Sequence, residues 1–169
     1  MTRDEALAFL QEHQPLPPDR HMKKDMIERY DDVRRFLAAN PDVTCVRPFL
    51  GAFGDGDGLG VYQLAGGVLR SHPRTEVDQA LAEALVSPHR SVRYWNAQLA
   101  AEFPSSGLVP LLLRLLDEDD RDIKYAALTA LEQSSDASVV QELERFASTE
   151  RDDELRALAC EIVDGLRTN

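Results

Sequence analysis

The sequence predicts an all-α protein, a right-handed α-solenoid of short helix-turn-helix units, and three observations lead there. Apolar residues recur at helical spacing: Ile123, Ala126, Ala127, Ala130 and Leu131 share one face, and after the polar turn SSDAS so do Val139, Val140, Leu143 and Ala147. These stripes return with a fixed period. Val46, Val77, Leu108 and Val139 are spaced by 31 residues, as are Leu50, Leu81, Leu112 and Leu143. In the other helix of each unit, Tyr30, Val61, Val92 and Ile123 keep the 31-residue step, and Leu155 comes next at 32. No stretch of useful length alternates apolar and polar residues as a half-buried strand does. Two short amphipathic helices cannot bury both stripes alone, so such a chain holds together by stacking neighbours, here about four units with a capping helix at each end.

Residues 3–13 read as the first capping helix, carrying Ala6, Leu7, Phe9 and Leu10. Gln14-Pro15 and the PLPP segment stop it and form a connector through residue 18, because prolines cannot donate helical hydrogen bonds. Asp19 is placed as the N-cap of a longer helix ending at Ala39, with Met22, Met26, Ile27, Tyr30, Val33, Phe36 and Leu37 in one stripe. A less regular helix comes next over 42–53, bent at Pro48, so residues 19–57 form a degenerate unit. Residues 58–169 are regular, with first helices near 59–70, 90–102, 121–133 and 152–166 and second helices near 75–86, 106–116 and 137–148. The 169 residues, 43% of them hydrophobic, are expected to form one domain with a core of ordinary size.

The segment GAFGDGDGLG at 51–60 holds five of the nine glycines and invites a phosphate-cradle or calcium-loop reading through Asp55 and Asp57. Neither pattern is met. No Gly-Lys-Ser/Thr is present, and the position eleven after Asp55, where a calcium loop needs a bidentate Glu, is Gly66. The segment aligns with SPH at 87–89 and DEDD at 117–120, which makes it an inter-unit turn.

SVRYWNAQLA at 91–100, DIKYAALTAL at 122–131 and ELRALACEIV at 154–163 share an acidic or polar residue, an aliphatic one, a basic one and then small positions. This pattern resembles the first helix of HEAT-like repeats, in particular the short bacterial kind also named for phycocyanobilin lyases. The resemblance covers 58–166 by pattern and 19–54 by period alone. It implies a solenoid, and a family of adaptors, assembly factors and a few enzymes. Physically, acidic residues such as Asp122 and Glu154 near a helix start favour the dipole, and Arg93, Lys124 and Arg156 are placed to reach a carboxylate of a neighbouring unit. Ala65, Ala127 and Ala159 keep helices close. Asn96 takes the same position, either as a ligand-facing amide or as one bonded to nearby backbone.

Catalytic and metal chemistry find no support in the residue pattern. His13, His21, His72 and His89 have no paired ligand spacing and lie in or beside loops or exposed faces. No Gly-x-Ser-x-Gly elbow occurs. Cys45 and Cys160 lie beside apolar positions and read as buried thiols rather than nucleophiles. Trp95 and Tyr94, beside Arg90 and Arg93, suit either a contact patch or core packing. No catalytic residue, metal or cofactor is therefore assigned, and the protein is expected not to be an enzyme.

Net charge is -11, and it is concentrated. Residues 117–169 carry 15 acidic against 6 basic side chains, while residues 1–116 carry 15 against 13. Such a surface repels a phosphate backbone and attracts a basic protein. The run LVPLLLRLL at 108–116 is too short to span a bilayer and contains Arg114, and the N-terminal stretch lacks an apolar signal core, so a cytoplasmic location is expected. The leading expectation is a non-catalytic protein-protein interaction module. Its partner would meet second-helix positions Asp78, Glu83, Arg114, Asp117, Gln141 and Arg145, or an acidic edge of Glu118, Asp119, Asp120, Asp152, Asp153 and Glu154. Two alternatives stay open: a bacterial immunity or inhibitor protein that neutralises a basic toxin, and a lyase-type enzyme or enzyme subunit.

Overall fold

Helices form where the apolar rows place them. The computed structural model describes residues 1–168, and every regular element among these is helical. They are α1 (Arg3–Glu12), α2 (Lys24–Ala39), α3 (Val43–Gly51), α4 (Gly66–Leu69), α5 (Arg74–Leu85), α6 (Arg90–Glu102), α7 (Val109–Leu115), α8 (Arg121–Glu132), α9 (Ser138–Thr149) and α10 (Asp153–Thr168). Short 3-10 turns lie at Asp19–His21 and Tyr62–Leu64. The chain forms two compact units, Met1–Asn96 and Ala97 onward, the division falling within α6.

In the first unit α3 packs on α1 and α5, and α2 packs on α4. The rows Val46/Val77 and Leu50/Leu81 are fully buried there. So is an aromatic cluster of Tyr30, Phe49, Phe53, Tyr62 and Trp95, whose neighbouring ring centroids lie 5.2 to 6.1 Å apart. Two expectations are corrected. The helix over 59–70 is absent: Gly58, Leu59 and Gly60 all have positive φ, and Gly66 and Gly67 weaken the helix beyond them, so only the single turn α4 survives. Val61, the one member of its row in this broken segment, is accordingly half-exposed. Asp19 does not cap a helix running to Ala39, which starts only at Lys24.

Asp19 instead closes the glycine loop. Its carboxylate accepts the amides of Asp57 at 2.9 Å and Gly58 at 3.1 Å, and its own amide donates to the Asp55 carbonyl at 2.9 Å. From the other side the Trp95 indole donates to the Gly56 carbonyl at 2.9 Å, and the Ser91 hydroxyl to the Phe53 carbonyl at 2.8 Å. The buried Tyr62 hydroxyl accepts the Gly54 amide at 3.1 Å. Burial pushes that phenol up to about 12, partly offset by the Gly54 bond. A Cβ at Gly54 would stand 2.4 Å from the Leu16 carbonyl, so the connector can approach only a glycine there.

In the second unit α7 packs on α8, and α10 packs on both α8 and α9. Leu108, Leu112, Ile123, Val139, Leu143 and Leu155 are buried, as the rows require. Ala127 and Ala159 are fully buried where helices approach. The Asp120 carboxylate caps α8 by accepting the Ile123 amide at 3.0 Å, and Asp152 accepts the Leu155 amide at 3.1 Å to cap α10. Cys160 is exposed, contrary to expectation, because the buried stripe of α10 runs through Leu155, Ala159, Ile162 and Val163 and leaves it outside. Cys45 is buried.

Two variants check these accounts. Leu112→Asp places an unpaired carboxylate at a site 3% exposed, costs several kcal/mol against a typical 5–15, and is expected to unfold the second unit by circular dichroism. Asp19→Ala leaves two loop amides without their acceptor and is expected to lower urea-unfolding stability by about 1–2 kcal/mol, with m unchanged.

Candidate functional site

Two exposed stripes face each other in the second unit. On α7 and the turn after it, Pro110, Leu113, Arg114 and Asp117 stand at helical spacing on the side away from buried Leu112 and Leu115. On α9, Glu142, Arg145, Phe146 and Thr149 do the same on the side away from Val139. Between them lies an open groove of about 770 Å³, completed by Leu116, Asp119, Lys124, Glu150 and Arg151. Its apolar part is made by Leu113, Leu116 and Phe146, and charges of both signs border it.

The groove's base is a rigid polar contact. Lys124 Nζ lies 2.6 Å from Glu150 Oε2, with side chains only 16% and 8% exposed, and 5.7 Å from the centroid of the Phe146 ring. The other oxygen of Glu150 accepts the amides of Asp152 at 2.9 Å and Arg151 at 2.7 Å. The Asp152 amide first, and Lys124 next, hold the Glu150 carboxyl below its ordinary value. Glu150 thus ends α9, ties it to α8 and stays ionised.

Of the residues singled out in the sequence, Arg114, Asp117, Asp119 and Arg145 come together in this groove. Arg145 pairs with Glu142, whereas Arg114, Asp117, Asp119 and Arg151 make no ion pair among the described residues. Gln141 is exposed on α9. Asp152 and Glu154 are gathered by Arg121, whose Nε lies 2.9 Å from Asp152, and Asp153 lies 2.5 Å from Arg156. Glu118 and Asp120 are half-buried, Asp120 as the α8 cap. Asp78 and Glu83 belong to the first unit, where they pair with Arg74 at 2.7 Å and Arg47 at 3.2 Å. Glu83 also borders a smaller recess of about 410 Å³ with Pro48, Val86 and Val92.

Lys124 does reach a carboxylate of the next turn. Arg93 donates to the Ser87 carbonyl at 2.8 Å, and Arg156 donates to the Glu150 carbonyl at 3.3 Å and pairs with Asp153 on its own helix. Asn96 is fully buried and donates to the carbonyls of Leu50 at 3.0 Å and Val92 at 2.8 Å, so it is a backbone-bonded amide. Trp95 is core, and Arg90 lies over the Tyr94 ring at 5.4 Å. Among the described residues no group of three or more His, Cys, Asp or Glu side chains is arranged to hold a metal ion, and no helix is long and apolar enough to cross a membrane. The sequence pattern marks Lys124 only as a cation within reach of a neighbouring carboxylate, and does not mark Leu113 or Phe146 as contact residues. The signal that could have found them is an apolar residue falling on a polar stripe, as Phe146 does between Arg145 and Thr149.

Comparison with known families gives one result: residues 71–163, more than half of the chain, match the family model of HEAT repeats. No curated protein matches the chain.

The Glu150 contact predicts a pH dependence. A carboxyl lowered on folding stabilises the native state above its unfolded value near 4.5, and that contribution is lost as pH falls through the lower folded value. Glu150→Gln is expected to cost about 1–3 kcal/mol near neutrality and progressively less below pH 4.5, measured by urea unfolding of both proteins across that range.

Proposed function

The chain belongs to the HEAT-repeat family, and from that premise we propose that it is a non-catalytic module that binds a basic protein partner through its second unit. The observation that carries this reading is the groove between α7 and α9, where half-buried Leu113 and Phe146 lie among unpaired Arg114, Asp117, Asp119 and Arg151. An apolar strip bordered by unsatisfied charge suits a protein surface with one or two apolar anchors and matching charges. The side chains from 117 to 169 add a net charge of -9, whose field draws a cationic partner to the groove. Asp152, Asp153 and Glu154, already occupied by Arg121 and Arg156, contribute to that field rather than to contact.

The groove offers little to catalysis. Its one well-buried carboxylate, Glu150, is kept ionised by Lys124 and two amides and is neither a proton donor nor a free base. A toxin-neutralising role is the same docking with a toxin as the basic partner.

The test is a binding measurement with the partner recovered from the native host on the full chain. The partner is expected to be basic. Asp117→Lys with Asp119→Lys is expected to slow association about tenfold at low salt and much less at high salt, with folding intact. Leu113→Asp is expected to speed dissociation. An acidic partner, or unchanged rates in both variants, overturns the reading.

A further inference from the structure

We propose that Leu59, at the tip of the glycine loop in the first unit, is a second contact, an apolar anchor that enters a socket rimmed by Lys or Arg on the partner. The inference rests on the protein-binding reading above but not on the groove. Leu59 is 62% exposed, more than the other large apolar side chains that reach the surface, and its φ is +52°. A leucine is disfavoured twice in this state, once by left-handed backbone that suits Gly or Asn and once by apolar surface in water. The Leu59 side chain is left largely in water, so its own burial does not offset this.

The conformation persists because its surroundings over-determine it. Asp19 holds the amides of Asp57 and Gly58, Asp57 Oδ1 accepts the Gly60 amide at 3.2 Å, and Trp95 holds the Gly56 carbonyl. The tip is therefore presented in one geometry, which lowers the ordering cost of binding. Leu64, 51% exposed on the 3-10 turn just beyond, adds apolar surface. Exposed Asp55 and Asp57 precede the tip, and their negative charge with that of Asp19 adds to the burial that raises the Tyr62 phenol. That local charge commits the occupant to a cationic rim, and it disfavours a second copy of this acidic chain.

Full-length protein carrying photo-reactive p-benzoylphenylalanine at position 59, at position 113 or at exposed position 67 is irradiated in the native host, and adducts are identified by mass spectrometry. The purified polypeptide captured from position 59 is then titrated against wild type and against Leu59→Asn, which keeps a residue tolerant of left-handed backbone. Support is an adduct from position 59 but not 67, about tenfold weaker binding by Leu59→Asn, and a melting temperature equal to or above wild type. Asp55→Lys with Asp57→Lys is expected to slow association with that polypeptide. An adduct from position 113 alone overturns this inference and leaves the groove reading standing, whereas adducts from neither position overturn both. Unchanged affinity or a lowered melting temperature for Leu59→Asn also overturns it, as does a captured second copy of the chain.

Discussion

A helix of four to sixteen residues, the range found here from α4 to α10, does not hold itself in water, because the cost of nucleation outweighs so few hydrogen bonds. Each helix therefore depends on burying its stripe against another. That requirement accounts for the 31-residue step, since Leu50 and Leu81 in the first unit, and Leu112 and Leu143 in the second, are each buried at the position the step assigns them. It also explains why small residues accumulate in α8 and α10: Ala127 and Ala159 are fully buried because larger side chains would force the helices apart.

Where the step fails, another device takes over. The segment after Gly58 lacks the helix its period calls for, and the exposed backbone of the glycine loop is satisfied by side chains instead. Asp19, Ser91 and Trp95 reach it from positions some 38 to 39 residues away in sequence. The aromatic cluster beneath supplies the apolar area that a regular first helix would have contributed. A conventional unit is replaced by a pinned loop whose tip is free to carry chemistry that a helix face does not offer.

The periodic part of this architecture was legible in the sequence because burial repeats with the chain. Helices α5, α6, α8 and α9 fall within about two residues of their expected limits, and the core rows are buried apart from Val61. What was not legible depends on contacts without a period. Asp19 before a polar helix start looks like an N-cap, and only the folded chain shows its carboxylate turned to Asp57 and Gly58. Arg121 meeting Asp152 and Glu154, and Lys124 meeting Glu150, turn an apparently uniform acidic edge into a partly neutralised one. Cys160 was misplaced because it neighbours apolar residues in sequence while pointing off the stripe that α10 buries.

The groove has one firm wall and one soft one. Helix α9 is anchored at its end by Glu150, which binds Lys124 and two amides, whereas α7 is seven residues long and has no side-chain cap. Backbone amides of α7 therefore exchange with solvent through local openings more readily than those of α9. A protein segment docked in the proposed groove would suppress those openings of α7, so part of the binding enthalpy would come from the receptor helix. Such association would carry a heat-capacity change larger than the area of the groove alone gives, and its affinity would fall with temperature more steeply than for a preformed cleft.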